Sequence, residues 1–325
     1  MNRRSFLKTS LSSLGAVPVF RFGGPDAGVE GKKTKIAIVK TQDRGSGVKD
    51  AVRLLDLPPM KGKRIFLKPN FNTADPFPAG THNDTLTALI REIKSRGAEG
   101  ITLGERSGPP PTQKVMEDKG IFALSKELGF KVVNFEDLAE ADWRHFNPPG
   151  YHWPEGFFVP KPLVEAEYIV ATCCLKTHQY GGVFTMSLKL AVGTTPKRLM
   201  RDLHSSPDQR LMIAEINAAY SPKLIVMDGL EAFVDGGPST GKKAGADIVI
   251  AGTDRIAVDA VGVAVLKELG SNDAIMGHKI FEQEQLSRAA ELGLGVSTPQ
   301  QIELATSDET SRLYAEKLNA ILAQG

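Results

Sequence analysis

One unbroken apolar run, Tyr168-Ile169-Val170-Ala171-Thr172-Cys173-Cys174-Leu175, constrains this chain more than any other stretch. A short run of that kind, rich in β-branched residues, reads as a buried central strand. It ends in Lys176-Thr177-His178, followed by Gly181-Gly182 and a predicted helix over 183–192 that carries Lys189. Ligands of open parallel α/β sheets sit at the carboxyl ends of strands, so the polar triplet is expected on a binding rim. The plainer reading of the same residues is a solvated strand exit and a flexible turn.

Around that strand the pattern alternates. Strands are predicted over 34–41, 63–69, 101–103, 131–135, 224–227 and 246–251, and helices over 48–57, 85–96, 112–128, 194–221 in two parts, and 255–269. Such alternation implies parallel βα units. The fold class is therefore α/β, a mostly parallel sheet with helices on both faces, plus an irregular insertion and a helical C-terminal segment. The insertion is 142–162, where the alternation breaks and both tryptophans, His145 and His152 occur. The expected organisation is a leader and linker over 1–32, an α/β domain over 33–262, and a helical segment over 263–325 packed on it, closing with a helix over 312–323.

Composition removes some function classes. A formal net charge of +2 over 325 residues gives no basic footprint for nucleic acid. No apolar stretch of about 20 residues exists to form a stable membrane span. The two cysteines, Cys173 and Cys174, are adjacent. Neighbours in a strand point to opposite faces, so they are expected as buried thiols and not as a disulfide. An iron–sulfur cluster normally takes about four cysteines, so none is expected. The chain opens Met1-Asn2-Arg3-Arg4-Ser5-Phe6-Leu7-Lys8, with a weakly apolar stretch to Phe20. This resembles the twin-arginine export signal. It implies a periplasmic or extracytoplasmic location and the twin-arginine export machinery as a partner, with cleavage of the signal left open.

Polar residues fall at each predicted strand exit: Lys68 and Asn70, Glu105 and Ser107, Lys176, Thr177 and His178, and Asp228. In a parallel sheet these share one rim, and His82 is expected to face it. The lysines suit a small anionic ligand. His178 and Lys189 are the candidate catalytic pair, since histidine moves protons near neutrality and a buried lysine has a lowered pKa. His204 is the candidate metal ligand, with a divalent metal left open as a cofactor; His145, His152 and His278 are assigned to structure or surface. One motif is rejected. Gly236-Gly237-Pro238-Ser239-Thr240-Gly241-Lys242 begins like a phosphate-binding loop, but Lys243 stands where Ser or Thr holds magnesium. A strand also follows where that loop needs a helix, so a glycine-rich hairpin is the better reading.

Leu67-Lys68-Pro69-Asn70, Cys174-Leu175-Lys176-Thr177-His178, Ser187-Leu188-Lys189-Leu190-Ala191-Val192-Gly193, His204, Asp228-Gly229, Gly237-Pro238 and Ile256-Ala257-Val258-Asp259-Ala260 occur in that order. Together they resemble the family known as DUF362, over about Lys68 to Ala260. Many members carry a cysteine-rich ferredoxin-like segment, which this chain lacks, and Leu190 stands where the family pattern usually has Asn. The order His178, Lys189, His204 is also similar to the nickel-pincer lactate racemase family. That resemblance implies Lys189 as the tether of a pyridinium-derived cofactor, His204 as a nickel ligand and His178 as a proton-transferring base. Three functions are expected to compete: an exported enzyme acting on an anionic substrate or cofactor in the rim cleft, a non-catalytic periplasmic metal or small-molecule binding protein, and an accessory partner of a redox complex.

Overall fold

The computed structural model describes residues 33–324; the twin-arginine stretch and its linker lie outside them. The strands are β1 (Thr34–Lys40), β2 (Arg64–Lys68), β3 (Gly100–Glu105), β4 (Lys131–Asn134), β5 (Trp143–Phe146), β6 (Phe157–Pro160), β7 (Tyr168–His178), β8 (Val183–Phe184), β9 (Leu224–Gly236), β10 (Gly241–Gly252) and β11 (Ile302–Ala305). Among the described residues, nine of them form one mixed sheet in the order β11-β1-β10-β9-β7-β2-β3-β4, with β8 paired to β7. Pairing is parallel from β9 through β7, β2 and β3 to β4, and between β1 and β11. It is antiparallel where β10 joins β9 and β1.

The helices are α1 (Arg44–Arg53), α2 (Asn83–Ser95), α3 (Thr112–Asp118), α4 (Ile121–Leu128), α5 (Lys161–Val164), α6 (Met200–Ser205), α7 (Gln209–Ile216), α8 (Arg255–Glu268), α9 (Asp273–Met276), α10 (Glu284–Glu291) and α11 (Glu309–Gln324). Their placement follows from the alternation of β7. Tyr168, Val170 and Cys174 pack with Val48 of α1 and Leu86, Leu89, Ile90 and Ile93 of α2. Ala171, Cys173 and Leu175 pack on the other face with α8, Leu286 of α10 and Leu318 of α11. Both thiols are free and buried, one on each face. α8 starts where Asp254 accepts the amides of Ile256 and Ala257, and its residues are buried from Arg255 to Leu266. A helix apolar on all sides belongs in the interior. No described helix is long and apolar enough to cross a membrane.

Several local expectations change. β7 does not end at Leu175: Lys176, Thr177 and His178 continue it, and all eleven of its residues are buried. The helix predicted over 183–192 is instead β8 followed by a 3-10 helix, Leu188–Thr194. Its apolar residues suit burial but do not fix the helical repeat. β9 and β10 are 13 and 12 residues long and form an antiparallel hairpin. Asp228 therefore lies inside a strand and not at its exit. The glycine-rich stretch closes that hairpin through a cis Gly237–Pro238 bond. The insertion forms a two-stranded antiparallel sheet, β5 with β6, whose Trp143 and Phe157 are buried with Trp153 against α7. The C-terminal segment is not all helical: β11 adds an edge strand beside β1.

Candidate functional site

The chain runs outward from β2 through β3 to β4, then returns to lay β7 on the other side of β2. That reversal leaves a crevice beyond the carboxyl ends of β2 and β7, where open α/β sheets place their ligands. A small inner chamber of about 50 Å³ occupies it, lined by Lys68, Asn70, Glu105, Arg106, His178 and Lys189 among others. It opens into a wider vestibule that shares Arg106, His178, Lys189 and Pro238 and adds Tyr180, Met200 and His204.

The β2–β3 wall is closed on itself. Lys68 Nζ donates to Glu105 Oε1 at 2.5 Å and to the Pro69 carbonyl at 2.7 Å. Glu105 also accepts the backbone amides of Phe71 and Arg106. Burial pushes the Lys68 ammonium down and the Glu105 carboxyl up from their ordinary values. Gly193 lies against this pair: a β-carbon there would sit 2.8 Å from Glu105 Oε1 and 3.0 Å from Lys68 Nζ. Arg106 spans from this wall to the next, donating to the carbonyls of Thr195, Ser107 and Val192. Burial lowers its pKa to about 10.

The opposite wall is the 3-10 turn that carries Lys189. Asp259 of α8 anchors it by accepting the amides of Ser187 and Leu188 at 2.7 and 2.9 Å. Burial raises the Asp259 carboxyl to about 7. Lys189 is only 7% exposed. Among the described residues its ammonium meets no acceptor; burial, then the charges of Lys176 and Arg106, lower its pKa to about 7. An unpaired buried charge is costly, so this amine stands ready for a partner that the fold does not supply. His178 meets it over Gly182. A β-carbon on Gly182 would lie 2.8 Å from Lys189 Cε and 2.9 Å from His178 Nδ1, so only glycine leaves both side chains room. His178 Nδ1 accepts the Gly182 amide at 3.3 Å, which leaves the ring proton on Nε2. Burial, then the charges of Lys189 and Lys176, hold its pKa down at about 2.

Of the rim residues read from the sequence, Lys68, Asn70, Glu105, His178 and Lys189 come together around the chamber, and His204 joins them at the vestibule. The others stand elsewhere. Lys176 is fully buried beneath the site, donating to the carbonyls of Ala79 and Pro238. Thr177 donates to the carbonyls of Phe233 and Gly236, sewing β7 to the hairpin. Ser107 donates its backbone amide to the Thr112 hydroxyl and is buried outside the lining. Asp228 is buried away from the chamber, paired with Arg44 at 2.8 Å and bonded by Thr85; Arg44 and His82 line a separate crevice. His204 donates from Nδ1 to the Met200 carbonyl at 2.7 Å, leaving Nε2 free. Among the described residues, no three His, Cys, Asp or Glu side chains gather where they could hold a metal.

Sequence reasoning missed Arg106 and Asp259. Arg106 sat beside Glu105 at a predicted exit and was legible there. Asp259 lies inside an apolar helix, and nothing in its local sequence points to the turn it anchors. Two buried acceptors in the chamber, Asn70 Oδ1 and Thr185 Oγ1, have no hydrogen-bond partner in the protein. Together with Lys189 they describe a hole shaped for something polar.

Comparison with known proteins follows the same segment. The family model described as Domain of unknown function (DUF362) matches residues 65–264. A thylakoid-associated protein of Synechocystis sp. is 24% identical over 253 residues, which is 74% of this chain and 74% of that protein. Among solved structures, the lactate racemase apoprotein from Thermoanaerobacterium thermosaccharolyticum is similar at a TM-score of 0.43 and 18% identity. The alignment covers 71% of this chain and 56% of that one, little more than half the length of the racemase.

Proposed function

The chain belongs to the DUF362 family, and from that premise we propose that it is an exported protein whose chamber binds a small anion and whose His178 and Lys189 act on it. The observation that carries this reading is the unpaired Lys189 ammonium. The chamber is lined by three cations, Lys68, Arg106 and Lys189, and by one carboxylate, Glu105, which is spent on Lys68. Positive charge is left over in a site with little solvent, where an anion gains most from it. His178 contributes a neutral ring with Nε2–H as a hydrogen-bond donor to that anion.

Thermal unfolding of the purified protein with phosphate, malonate and short monocarboxylates tests the reading. A bound anion at a hundredfold excess over its dissociation constant stabilises by about 2.7 kcal/mol. Lys189→Met abolishes that gain. Stabilisation that survives in Lys189→Met, or none with any anion, removes the assignment. Export is tested separately: Arg3→Lys with Arg4→Lys leaves the protein in the cytoplasm, and unchanged fractionation overturns that part.

A second reading is favoured by His204, whose Nδ1–H is committed to Met200 while Nε2 stays free beside Lys189. Lys189 and His204 would then hold the tethered, metal-bearing cofactor that the racemase-like order of residues implies, and such a group would supply hydride-transfer chemistry. Intact mass and elemental analysis of protein from its native host decide it: added mass on Lys189 with a bound metal supports this reading, and unmodified chain without metal removes it.

A further inference from the structure

We propose that Lys189 is a Schiff-base lysine, and that the ligand of the inner chamber is a small aldehyde or ketone bearing a carboxylate or phosphate. This rests on the reading of the chamber as an anion site and narrows it to a reacting class.

The geometry assembles what imine formation needs. The amine must be free of internal acceptors, and the one carboxylate in the chamber is held by Lys68 and two backbone amides. It must be held still, and Asp259 fixes the turn that carries it. It must be unprotonated part of the time. Desolvation beside other cations is a known way to activate a lysine, and the amine at about 7 is half free base at neutral pH. The carbonyl oxygen needs a donor that stays neutral, and His178 offers Nε2–H from a ring that burial keeps uncharged. The acid group needs compensating charge, which Arg106, bonded to carbonyls and, among the described residues, to no carboxylate, supplies. Hydroxyl groups on the ligand would satisfy Asn70 Oδ1 and Thr185 Oγ1, the two orphaned acceptors.

In the step itself the Nζ lone pair bonds to the carbonyl carbon and the carbon–oxygen π pair moves onto oxygen. Both amine hydrogens of the free base then leave with that oxygen as water, giving the imine. No oxidant or reductant takes part. The product recovers a positive charge by taking one proton from solvent, and the ligand's own acid group lies close enough to offset it.

Reductive trapping tests the proposal. The full chain is incubated at pH 7 with glyoxylate, with dihydroxyacetone phosphate, or with acetone as the uncharged control, each with cyanoborohydride, followed by intact mass and peptide mapping. A single adduct on Lys189 is expected with at least one acid-bearing probe, formed at least tenfold faster than with acetone. The two acid-bearing arms separate carboxylate from phosphate selectivity. Lys189→Arg, which keeps the charge, and Lys189→Met both lose the adduct; far-ultraviolet circular dichroism establishes that each is folded. His178→Ala traps about tenfold more slowly. Labelling spread over surface lysines at the acetone rate overturns the proposal. So does anion-induced stabilisation without any Lys189 adduct, an outcome that leaves the anion-site reading standing; absence of both removes the two together.

Discussion

The two walls of the cleft treat a buried lysine in opposite ways. On the β2–β3 wall Lys68, 1% exposed, is paired with Glu105 and capped by the Pro69 carbonyl. On the facing turn Lys189, 7% exposed, has surroundings that only repel it. A third buried cation sharpens the contrast. Arg255 donates to Asn217 Oδ1 and to the carbonyls of Asn217 and Tyr220, and stacks 5.0 Å from the Tyr220 ring. For Lys68 and Arg255 the fold itself supplies acceptors to the buried cation. Lys189 is the exception, and an exception that destabilises the free protein points to a function outside folding.

The largest effect that can break this contrast is on the paired wall. Glu105→Ala leaves Lys68 buried without its counter-ion and two backbone amides without an acceptor. The expected loss is about 3–5 kcal/mol in urea unfolding. A loss below about 1 kcal/mol means that water reaches the pair and the wall is not closed.

Next comes the anchor of the open wall. Asp259→Ala removes the acceptor of the Ser187 and Leu188 amides and costs about 2–4 kcal/mol. Asp259→Asn keeps one acceptor and loses less. Hydrogen exchange at those two amides should speed up in Asp259→Ala; unchanged protection would show that the turn holds without it.

Lys189→Met moves the other way. The folded pKa of about 7 lies below the ordinary 10.5, so between those values the unfolded chain binds more protons than the folded one. Its contribution to stability is then lost as pH falls from about 10.5 to 7, and the penalty is complete below that. Replacing the lysine should raise stability by about 2–4 kcal/mol at pH 7, and the gain should vanish near pH 10.5. A variant less stable than the parent at neutral pH would mean that Lys189 has an internal partner after all.

The smallest effect on stability is expected at the vestibule. His204→Ala removes a half-solvated ring bonded to one carbonyl and should cost less than about 1 kcal/mol. Anion binding in the inner chamber should be retained, since His204 lines only the outer space. Loss of chamber binding in this variant would merge the two compartments into one site.

Much of the architecture was readable along the chain because burial writes itself into periodicity. The apolar run of β7, the helix at 85–96 and the alternation of strand and helix each follow from local pattern. What misled was pattern without geometry. The apolar residues of 183–192 say that the segment is buried, and a 3-10 turn pinned by a remote carboxylate satisfies burial as well as an α-helix does. Lys176 and Thr177 looked like a rim because polar residues end most strands, yet here carbonyls from three other segments accept their protons inside the sheet. Asp228 looked like an exit residue because Gly229 follows it, but β9 runs on for eight further residues, to Gly236.

The sequence by itself settled that this is an α/β chain of the DUF362 pattern, and that Lys68, Glu105, His178 and Lys189 stand at or beyond strand ends. Which polar groups became saturated and which stayed open was decided in three dimensions. A side chain's hydrogen-bond partners come from segments far away in the chain, and the desolvation that moves the amine of Lys189 toward neutrality exists only once those segments have closed around it.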